Sequence, residues 1–137
     1  MKGLTAEEYL DQIKKIDAII INKTEDYRRW VELSKGLGDF SVSERVQSSR
    51  NLRQIPNAIA RYIDIEREIA DLKRKREEII KTIERLPSVE YELIYKLYVK
   101  DYTLKEVAYH FKRSYEWAQK KKRNALCLIR DMLDEVH

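Results

Sequence analysis

A short stretch holds more positive charge than the whole chain nets. From Lys112 to Arg123 stand Lys112, Arg113, Lys120, Lys121, Lys122 and Arg123 against a single acid, Glu116. That is a local excess of five, whereas all 137 residues together net +4. Cations clustered this way neutralise phosphates, and duplex DNA offers phosphates at short, regular intervals. Competing chemistries find little support. His110 and His137 are far apart in sequence, no Cys/His spacing suits a metal, and no glycine-rich loop could cradle a nucleotide. The expectation is a protein that is not an enzyme and uses no cofactor or metal. Cys127, the single cysteine, rules out an intramolecular disulfide. Within A-L-C-L-I-R it is expected to be a small core or half-buried residue.

The elements that must carry these cations are legible on either side. Thr103 stands three residues before Glu106, the capping-box spacing in which each side chain covers a free backbone N–H at a helix start. Leu104, Val107, Ala108 and Phe111 give that helix an apolar face. Ser114 is a second N-cap, with Glu116 in the first turn, where the helix dipole favours an anion. Ala118, Ala125 and Leu126 begin the buried face of a longer helix, and Leu128, Ile129, Met132, Leu133 and Val136 extend it. Only Lys112 and Arg113 separate Phe111 from Ser114. A short helix, a tight turn and a second helix make a helix-turn-helix pattern, whose second helix can enter a major groove.

The rest of the chain reads as all-α. Glycine (3) and proline (2) are scarce and charged residues reach 38%, as suits long exposed helices. Thr5 and Glu8 form another capping box, and Tyr9, Ile13, Ile16, Ile20, Tyr27 and Trp30 follow heptad-like steps until Gly36 and Gly38. Pro56 suits the first position of a second helix, whose stripe runs Tyr62, Ile65, Ile69, Leu72, Arg76, Ile79, Ile83, Leu86 and stops before Pro87. The simplest arrangement is a long antiparallel helical hairpin over 1–87, joined by a loop at 35–55. A C-terminal DNA-binding domain over 88–137 follows, with Ser88 capping its first helix and Val89, Leu93, Ile94, Leu97 and Tyr98 facing inward. Two helices bury little, so the hairpin is expected to form a homo-oligomer, a dimer first, through a four-helix bundle. The basic run Lys73–Arg76 and the loop residues Arg45, Arg50 and Arg53 read as solvated charges. The longest apolar run, Ala18–Ile21, cannot span a membrane, and Glu7, Glu8 and Asp11 interrupt any signal peptide. A cytoplasmic location in a bacterial host cell is expected.

The segment from Tyr102 to Leu126 resembles region four of bacterial sigma factors, matching at Thr103, Glu106, Val107, Ala108, Phe111, Ser114, Ala125 and Leu126. The whole chain resembles phage and prophage late transcriptional regulators of the ArpU/RinA type. There a helix, a loop with a short string like Glu44-Arg45-Val46-Gln47-Ser48-Ser49, and a second helix precede a sigma-like helix-turn-helix. The resemblance implies a sequence-specific regulator of phage or prophage late genes that binds double-stranded DNA, with RNA polymerase as a further partner. Position by position, it puts base reading on Tyr115, Glu116, Gln119 and Lys120. Glu116 can accept from cytosine N4, Gln119 can pair with adenine, and Lys120 can reach guanine. It puts phosphate contacts on Thr103, Lys112, Arg113, Ser114, Lys122 and Arg123. Two departures from the pattern matter. Lys112 stands where glycine is common. Lys121 stands where an apolar residue is usual, so either its stem snorkels past the core or the helix is slightly rotated. Two other functions fit a helix-turn-helix joined to long helices: a small-terminase-like DNA-packaging protein, and a module docking on RNA polymerase.

Overall fold

The computed structural model describes residues 4–35 and 48–136, with side chains at 4–35 and 56–135. The described residues are helical, with no strand among them. The helices are α1 (Ala6–Lys35), α2 (Ser48–Glu84), α3 (Ser88–Ile94), α4 (Leu104–Phe111) and α5 (Tyr115–Val136), and a π-helical turn at Tyr95–Val99 continues α3. Packing gathers the chain into two compact units, Met1–Ile16 with Arg74–His137, and Asp17–Lys73.

Among the described residues, the first unit holds most of the buried core. Ala6, Leu10, Ile13 and Ile16 come from α1, and Ile79, Ile80, Ile83 and Leu86 from the end of α2. Leu93, Ile94, Leu97 and Tyr98 join them, with Val107 and Ala108 from α4 and Ala118, Ala125 and Ile129 from α5. The first turn of α1 is fixed by the Thr5/Glu8 capping box: Thr5 N donates to Glu8 Oε1 at 3.0 Å, and Glu8 N to Thr5 Oγ1 at 3.1 Å. From there α1 reaches the C-terminal helices directly. Lys14 pairs with Asp101 at 2.7 Å, and the Tyr98 hydroxyl donates to Glu7 at 3.5 Å. Burial pushes the Tyr98 phenol well above its ordinary pKa, and Glu7 and Asp11 act in the same direction, so it remains a neutral donor. Tyr9 and Thr82 hydroxyls meet at 3.0 Å. Thus the first helical turns pack with the segment beyond Pro87.

In the second unit Lys23 Nζ meets Glu68 Oε1 at 2.9 Å, and this contact draws the Glu68 carboxyl below its ordinary pKa. Tyr27 and Tyr62 rings meet edge-on at 5.7 Å, and the Tyr27 hydroxyl donates to Glu66 at 3.3 Å. Rising numbers on α1 meet falling numbers on α2, so the segments run antiparallel. Among the described residues of this unit only Ala58 and Ile65 are buried, while Ile21, Leu33, Ile59 and Ile63 are exposed.

Several expectations are corrected. The second helix starts at Ser48, not at Pro56, which lies inside it. The segment before the proline is rich in helix formers, Arg50, Leu52, Arg53 and Gln54, and their propensity carries the helix through despite the missing N–H. The 35–55 loop is therefore helical from Ser48 onward. The remainder of that loop, the string beginning at Glu44, and the side chains of Arg45, Arg50 and Arg53 lie outside the described residues. Ser88 does not cap α3. Pro87 precedes the helix with ψ 157°, and Ser88 is already its first helical residue, with no side-chain cap bond formed. On α3 Val89 is exposed and Glu90 is buried, the reverse of the apolar reading.

Candidate nucleic-acid interface

The connection from α4 to α5 is built from three local devices. At the first, Thr103 Oγ1 accepts from Glu106 N at 3.1 Å while Thr103 N donates to Glu106 Oε1 at 2.9 Å. These bonds hold the Glu106 carboxyl below its ordinary pKa, the backbone bond from Thr103 contributing most. At the second, α4 stops at Lys112, whose φ 56° and ψ 43° are left-handed. Lys112 N donates to Tyr109 O and Arg113 N to Ala108 O, each at 3.0 Å, so the last carbonyls of α4 are satisfied. A side chain in that geometry costs about 1 kcal/mol or more. At the third, Ser114 Oγ accepts from Trp117 N at 3.1 Å and starts α5. Trp117 folds back on the turn. Its ring lies 5.3 Å from Phe111, and the Arg113 guanidinium lies 5.3 Å from the ring centre. The turn itself thus provides an apolar neighbour for Trp117.

Helix α5 then presents two distinct sides. Ala118, Ala125 and Ile129 are buried. Glu116, Gln119, Lys120 and Arg123 are exposed, and Tyr115 is 46% exposed. At 100° per residue these exposed positions fall on one outward stripe across successive turns. Lys112, Arg113 and Ser114 are exposed at the turn that leads into it. Thr103 and Ser114, both expected at phosphate, use their side-chain oxygens as helix caps.

The four consecutive cations of α5 are not equivalent. Lys120 and Arg123 are exposed. Lys121 Nζ lies 3.6 Å from Glu90 Oε2, and that oxygen also accepts from Asn124 Nδ2 at 3.0 Å. Lys121 therefore answers the apolar slot with an ion pair to a buried acid. Lys122, expected at phosphate, lies 3.5 Å from Glu7 Oε1 at the start of α1. A cleft of about 360 Å³ opens beside it, lined by Glu7, Leu104, Tyr115, Gln119, Lys122 and Arg123 together with Leu126. Neither Glu7 nor Glu90 was read from the sequence as a partner of the α5 cations. The available signal for Glu90 was the mismatched cation at Lys121, which calls for an acid in the segment packed against it.

His110 is exposed, its ring edge-on to Tyr102 at 5.1 Å. Among the described residues no three His, Cys, Asp or Glu side chains group as a metal site would require, and no helix is long and apolar enough to cross a membrane. Cys127 is exposed rather than half-buried, because it lies two residues from both Ala125 and Ile129 and so on the opposite side of α5. No family model, curated protein or solved structure matches this chain.

Proposed function

We propose that this protein binds double-stranded DNA in a sequence-specific manner and regulates transcription, with the α4–turn–α5 segment acting as a helix-turn-helix of the sigma region-four kind. The helix starting at Ser114 enters the major groove. Tyr115, Glu116, Gln119 and Lys120 read base edges, while Lys112, Arg113 and Arg123 take phosphates. One observation carries this reading. The outward stripe of α5 combines amide, acid and cation side chains free to meet a duplex, and the opposite side is closed by small apolar residues. A helix that only packed against its own protein would have no need of an exposed cationic stripe on its first turns.

The resemblance to phage and prophage late regulators of the ArpU/RinA type supplies the biological setting of the proposal: late-gene control in a bacterial cytoplasm, with RNA polymerase as a second partner. In this reading the long helices form a hairpin whose Asp17–Lys73 part joins two copies, since its described side chains form so small a core of their own. The protein acts by binding alone, without catalysis or cofactor. Selection of bound fragments from a pool of random duplexes tests the proposal. Recovery of one enriched sequence supports it, and recovery of an unenriched pool counts against it.

A further inference from the structure

We infer that Glu90 is a positioning residue that withholds Lys121 from the DNA backbone, so that α5 grips phosphates from one side only; this rests on the DNA-binding reading above. The run Lys120, Lys121, Lys122, Arg123 spans a full helical turn, so without internal partners it would surround α5 with charge. A helix charged on every side can lie against a phosphate backbone at many rotations, each giving affinity without base contact. The fold answers this from within. Glu90 is 6% exposed and is the buried charged residue of the described core. Its Oε2 holds Asn124 Nδ2 at 3.0 Å and faces Lys121 Nζ at 3.6 Å. Residues 121 and 124 are nearly one turn apart on the side of α5 that meets α3. Two tethers on one acid fix the rotation of α5 about its own axis. That rotation leaves Gln119, Lys120 and Arg123 outward. The Lys121 side chain is 34% exposed and long enough to reach outward, and its Nζ is instead turned to the acid.

The full chain tests this through the salt dependence of binding to a random-sequence duplex and to a selected duplex. Lys121→Gln leaves the salt slope on random duplex as in the parent. Glu90→Gln keeps an oxygen for Asn124 but releases Lys121. It steepens the slope by about 0.9, the signature of one added phosphate contact. It also narrows the preference for the selected duplex severalfold. The double variant Glu90→Gln/Lys121→Gln returns to the parental slope. A Glu90→Gln protein in which both affinities fall together, with the slope unchanged, would show a merely structural acid and overturn the inference. A Lys121→Gln protein whose slope becomes shallower by about 0.9 would overturn it too, and this arm is readable even if Glu90→Gln does not fold. Failure of the parent chain to bind either duplex would remove the DNA-binding reading itself, whereas parental binding with either contrary slope removes only the role of Glu90.

Discussion

Lys112 occupies backbone space that glycine enters freely. Its φ of 56° closes α4 and aims the chain into Ser114. Lys112→Gly relieves the steric cost but adds unfolded-state freedom, so the net expectation is stabilisation of up to about 1 kcal/mol, read as a higher denaturant midpoint. The same change weakens DNA binding if Lys112 meets a phosphate, so stability and affinity move in opposite directions. The outward residues of α5 give the complementary prediction. Gln119→Ala and Lys120→Ala each lower affinity for a selected duplex by about 1–3 kcal/mol and leave the melting temperature within error, because both side chains are exposed. A melting temperature that falls with affinity would mean they support the fold instead. At this scale the sequence was informative where a residue acts on its own backbone. Lys112 at a customary glycine position and the cation Lys121 at an apolar slot stood out only against the family pattern, and the left-handed backbone at Lys112 is what the structure adds. Glu90 was signalled only indirectly, by that cation, because its importance depends on Asn124 and Lys121, more than thirty residues away.

Three helix starts were legible from local spacing, while Ser88 forms no cap bond at the start of α3. Thr5/Glu8, Thr103/Glu106 and Ser114 all form the cap bonds that their spacing suggests. Ser114→Ala removes the bond to Trp117 N and should cost about 1 kcal/mol of stability in denaturant unfolding. Glu106 adds a pH signature. Its folded pKa is depressed, so its contribution is present above the ordinary glutamate range and is lost as pH falls through the lowered folded value. Glu106→Gln should flatten that acidic limb in melting temperature against pH, while an unchanged limb would assign it to other carboxylates. The start of α2 was misread because a proline is a strong local signal, and here the surrounding propensity prevails over it. Pro56→Ala should accordingly stabilise the chain by about 1–3 kcal/mol, since it restores a helical N–H and removes a ring clash. A loss of stability would argue that the helix truly begins at the proline. The periodicity of α1 and α2 located part of the core: Ile13, Ile16, Ile65, Ile79, Ile83 and Leu86 are buried, whereas Tyr9, Ile20, Tyr27, Trp30, Tyr62, Ile69 and Leu72 are only half-buried, and Ala6, Leu10, Ala58 and Ile80 were missed beside them.

Over the whole molecule, the packing units do not follow the order of the chain. The first sixteen residues and the end of α2 share a core with the C-terminal helices, an association that no local pattern encodes. The Asp17–Lys73 unit, read as the joining surface between two copies, predicts a dimer by sedimentation. Ile59→Glu with Ile63→Glu, both at exposed positions, should shift it to monomer without loss of helicity. The account's central claim is that the outward stripe of α5 and its leading turn lie against duplex DNA. The most direct measurement is the affinity for a selected duplex between 50 and 200 mM salt. Phosphate contacts from Lys112, Arg113 and Arg123 predict a logarithmic slope of about −3 per bound chain, reduced by about one unit in Arg123→Gln. Affinity that is absent, or that does not change with salt and with Arg123, would contradict it.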